Sequence, residues 1–96
     1  MGLFGFGKEE KKVKITDFFS EEDLATIKEQ AEGSLSGGAV VELLANGLLN
    51  YVKNPEKEYS YSNFNKFVKI ADSFKNMDPY LAPILTKGIE KYKAAK

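Results

Sequence analysis

The chain has 96 residues, with fourteen lysines balanced by fourteen Asp and Glu, 43% hydrophobic residues and twelve Phe or Tyr, and it contains no Cys, His, Trp or Arg. So short a chain cannot divide its apolar residues between two cores, so it makes one domain at most. The missing residue types exclude a disulfide framework, a Cys/His zinc site, a Cys nucleophile and a Ser-His-Asp triad, while the aromatic content and zero net charge separate the chain from disordered sequences.

Residues 1–14 read as a flexible leader, and residues 15–96 as the folded domain. Leu3, Phe4 and Phe6 are spaced by Gly2, Gly5 and Gly7, and a lysine/glutamate run follows from Lys8 to Lys14. This start is too interrupted for a secretory signal, and Phe6 stands where myristoylation needs Ser or Thr. No window approaches the roughly 20 apolar residues of a membrane span, so the expectation is a soluble, cytoplasmic protein. Val13, Ile15, Phe18 and Phe19 mark where buried chain begins.

The first helix is predicted over about 20–32. Ser20 can accept hydrogen bonds from its first turn, Glu21, Glu22 and Asp23 suit the positive end of its dipole, and Leu24, Ile27 and Ala31 recur at helical spacing. Gly33 suits the left-handed position after a helix end, and the run to Gly38 reads as a flexible connection. A second helix follows over about 39–53. Its Val40, Val41, Leu43, Leu44, Leu48, Leu49, Tyr51 and Val52 cover more than one face, which predicts the most buried helix of the set. Gly47 leaves room for a bulky neighbour, and Asn54-Pro55 ends the helix.

Ser60 or Ser62 caps a third helix over about 62–76, where Phe64, Phe67, Val68, Ala71 and Phe74 form a clear apolar stripe. Asp78-Pro79 is a further start signal. Pro83 then resets the chain, predicting one turn at 79–82 and a fourth helix from 83 to about 94, lined by Leu85, Ile89 and Tyr92. Val13-Lys14-Ile15 and Glu58 to Tyr61 are the best strand candidates, and both are short. The fold class is therefore all-α: a small antiparallel four-helix bundle behind its leader.

Few residues offer chemistry. Glu21, Glu22 and Asp23 point about 100° apart around a helix and do not converge, and Glu29 with Glu32 gives too few oxygens for a hard cation. The glycine-rich stretch 33–38 follows a helix and lacks a placed Lys, which favours a hinge over a phosphate cradle. Lys66, Lys69 and Lys75 near Tyr59 and Tyr61 are the only surface to weigh for nucleic acid, and zero net charge without Arg argues against it. No cofactor, metal or catalytic residue is assigned. The leader, an apolar tip with a lysine collar, can touch an anionic membrane weakly or dock on its own bundle. Tyr59 and Tyr61 cap the end of the bundle or anchor a partner. These two tyrosines, with Phe4 and Phe6, are the candidate partner-binding residues.

The segment from Val40 to Phe74 places Val41-Glu42-Leu43-Leu44-Ala45-Asn46-Gly47-Leu48-Leu49-Asn50-Tyr51-Val52, a polar loop and the helix from Asn63 in succession. It resembles the immunity proteins that protect producers of pediocin-like bacteriocins. The likeness covers about a third of the chain and contains no diagnostic motif, and the glycine-spaced leader lies outside the family pattern. It implies non-catalytic self-protection by binding a membrane-associated receptor complex. The residues themselves lead to the expectation of a non-enzymatic protein-binding or regulatory module acting through helix faces. The alternatives are a homodimer joined through the second helix and a peripheral membrane adaptor using the leader.

Overall fold

A computed structural model describes residues 12–95. The elements run in the order β1 (Lys12–Val13), a single 3-10 turn (Ile15–Asp17), α1 (Glu21–Gly33), α2 (Ala39–Val52), β2 (Tyr59–Ser60), α3 (Tyr61–Lys75) and α4 (Ala82–Ala95). Consecutive helices pack on one another, α1 on α2, α2 on α3 and α3 on α4. The fold is thus a small all-α bundle.

α1 and α3 start where the sequence provides a side-chain cap, whereas α2 begins after Gly38 without one. Ser20 Oγ accepts from the Asp23 N–H at 3.0 Å, and Ser60 Oγ accepts from the Asn63 N–H at 3.2 Å. Asp78 Oδ1 accepts from the N–H groups of Tyr80 and Leu81, and the Asp78 carbonyl accepts from Leu81 and Ala82. The chain therefore turns helically before α4 proper. Pro83 falls in the first turn of α4, where its missing N–H costs least.

Two local expectations shift. Gly33 remains the last residue of α1, and the Ser34 hydroxyl closes that end by donating to the Gln30 carbonyl at 2.9 Å. The positive φ falls instead on Gly38, at 116°, immediately before α2. A side chain there would meet the steric penalty that glycine avoids.

The boundary of the folded body also moves. Lys12 and Val13, placed in the leader by the charge run, pair antiparallel with Ser60 and Tyr59. Val13 is buried, and Lys14 joins Glu56 through an ion pair at 3.4 Å. One apolar side chain aimed at the core secures this ladder: β1 alternates exposed Lys12 with buried Val13. Phe4 and Phe6 lie outside the described residues.

Twenty hydrophobic residues form one continuous core, and no polar or charged residue is buried with them among the described residues. Its densest part is aromatic. Phe18, carried by the short segment before α1, sets its ring edge-on to Tyr92 with centroids 5.4 Å apart, and Phe19 meets Phe67 the same way at 6.0 Å. The end of the Phe19 ring also lies against Gly88 of α4, where any Cβ would collide with it. The two phenylalanines thereby wedge the N-terminal segment against α3 and α4. On the other side of α3, Gly47 of α2 admits Ile70, whose Cδ1 would stand 2.9 Å from a Cβ at that position.

Candidate functional site

The corner holding Tyr59 and Tyr61 is built for structure. Tyr59 is only 6% exposed, with its ring 5.0 Å from Tyr51 and 6.1 Å from Phe64, centroid to centroid. Its backbone is occupied by the ladder to Val13. Tyr61 is half-buried, stacks obliquely on Tyr92 at 5.7 Å, and donates its hydroxyl to the Ala95 carbonyl at 3.3 Å. Tyr92 donates to Asn65 Oδ1 at 2.6 Å, with the Tyr61 carbonyl 3.2 Å away. These contacts tie α4 to the start of α3. Tyr59 therefore belongs to the core, where sequence placed it at a capping or partner-binding surface, because the β1 ladder covers it.

Burial pushes the Tyr51, Tyr59 and Tyr92 hydroxyls above their ordinary pKa of 10.0, and a neighbouring tyrosine adds to the effect at Tyr59 and Tyr92. Burial in this apolar corner disfavours the phenolate form.

A shallow groove of about 290 Å³ opens between the N-terminal segment, α1 and the loop after α2. Leu24 and Val52 line its floor, with Glu21, Lys28 and Glu56 among its polar residues. Glu56 already pairs with Lys14. Both signs of charge are present, and no group of three metal-ligating side chains gathers among the described residues.

A different surface stands out on α2. Leu24 and Ile27 of α1 are covered, yet Val40 and Leu43 of α2 are 66% and 72% exposed. The expectation that α2 is the most buried helix thus fails at its N-terminal half. The reason is its neighbourhood: α2 packs chiefly on α1 and α3, burying Ala45, Leu48, Leu49 and Val52, and its outer side is left to solvent. Ala39, Val40, Leu43, Asn46 and Asn50 make up most of that outer side. Glu42 is the one charged residue among the fourteen of α2. In contrast, α1 carries six in thirteen, α3 four in fifteen and α4 four in fourteen.

Sequence reasoning read α2, apolar on more than one face, as the most buried helix, with a homodimer through it as an alternative. The overlooked signal was the scarcity of charge on this helix, which carries Glu42 alone in a chain that is 29% charged. A solvated face normally carries charge, and the cores of binding interfaces are depleted of it. No helix is long and apolar enough to cross a membrane among the described residues. No protein-family model, curated protein or solved structure matches this chain.

Proposed function

We propose that this chain is a non-catalytic, cytoplasmic protein-binding module whose contact surface is the outer face of α2. The exposure of Val40 and Leu43, one turn apart on a helix whose single charged residue is Glu42, carries this reading. Large apolar side chains held in water on a rigid helix gain free energy when a partner covers them, at roughly 25 cal/mol per Å² removed from solvent.

The resemblance to immunity proteins of pediocin-like bacteriocins supplies one specific form of the proposal, in which the partner is a membrane-associated receptor complex. The binding reading does not depend on that form. The test is a photo-cross-linking amino acid placed at position 43 or, as control, at position 66, with both variants produced in the source cells. Lys66 is exposed on α3, away from the α2 face. The expected result is a discrete cross-linked species from position 43 and none from position 66. Equal labelling at both, or none at either, contradicts the proposal.

A further inference from the structure

We draw no further inference here: the strongest candidate, the exposed apolar patch around Val40 and Leu43 in the first half of α2, is an unpartnered helix face, and nothing in the structure shows what covers it.

Discussion

Two glycines sit inside helices of this protein, and their neighbours make them unlike. At Gly47 the obstructing atom is Cδ1 of Ile70, the far end of a half-buried side chain able to rotate away. An alanine there gains about 1 kcal/mol of helix propensity and loses a similar amount to repacking. Gly47→Ala should therefore leave stability within about 0.5 kcal/mol of wild type in urea titrations. At Gly88 the obstruction is the Phe19 ring, itself fixed between Phe67 and the α4 backbone. Gly88→Ala should cost about 2–3 kcal/mol by the same measurement despite the better helix former. The sequence displays both as isolated helical glycines; only the partner across the interface separates them. The tyrosines make a second expectation at this scale. Their folded-state pKa values lie above 10.0, so the stability they contribute is fully present below pH 10 and is lost as pH rises through the higher folded values. Phenolate absorbance should show three hydroxyls titrating late, together with the loss of helical dichroism. Three that ionise at pH 10 without unfolding would refute this.

The helices themselves were largely legible, because their signals are local. Ser20, Ser60 and Asp78 each cap the turn that follows, and the apolar stripe from Phe64 to Phe74 faces the core as its spacing requires. Ser20→Ala and Ser60→Ala should each lower stability by about 1 kcal/mol, read as a shift in thermal midpoint. The two-residue ladder was less legible. Val13-Lys14-Ile15 and Glu58 to Tyr61 are the two strand candidates in the sequence and the strands fall there, but their pairing joins positions 46 residues apart and neither segment announces the other. That missing link misplaced both the leader boundary and the role of Tyr59. Val13→Ala should cost about 1–2 kcal/mol, since it leaves a hole beneath the ladder.

For the whole molecule, composition identified an all-α bundle with one core, and it failed at the surface. The residues of α2 look uniformly apolar in sequence because burial depends on which neighbours exist, and α2 packs chiefly on α1 and α3, on its inner side. Its outer face is the one place where large aliphatic side chains stand exposed in a regular element of the described chain. The aromatic corner, by contrast, spends the hydroxyls of Tyr51, Tyr61 and Tyr92 on acceptors in α3 and α4. The central claim is that protein contact belongs to the α2 face and not to that corner. Photo-cross-linking in the source cells from position 43 on α2, set against position 61 at the corner, measures this directly. The expected result is a discrete cross-linked species from position 43 and none from position 61; labelling from position 61 alone, or from neither, would contradict it.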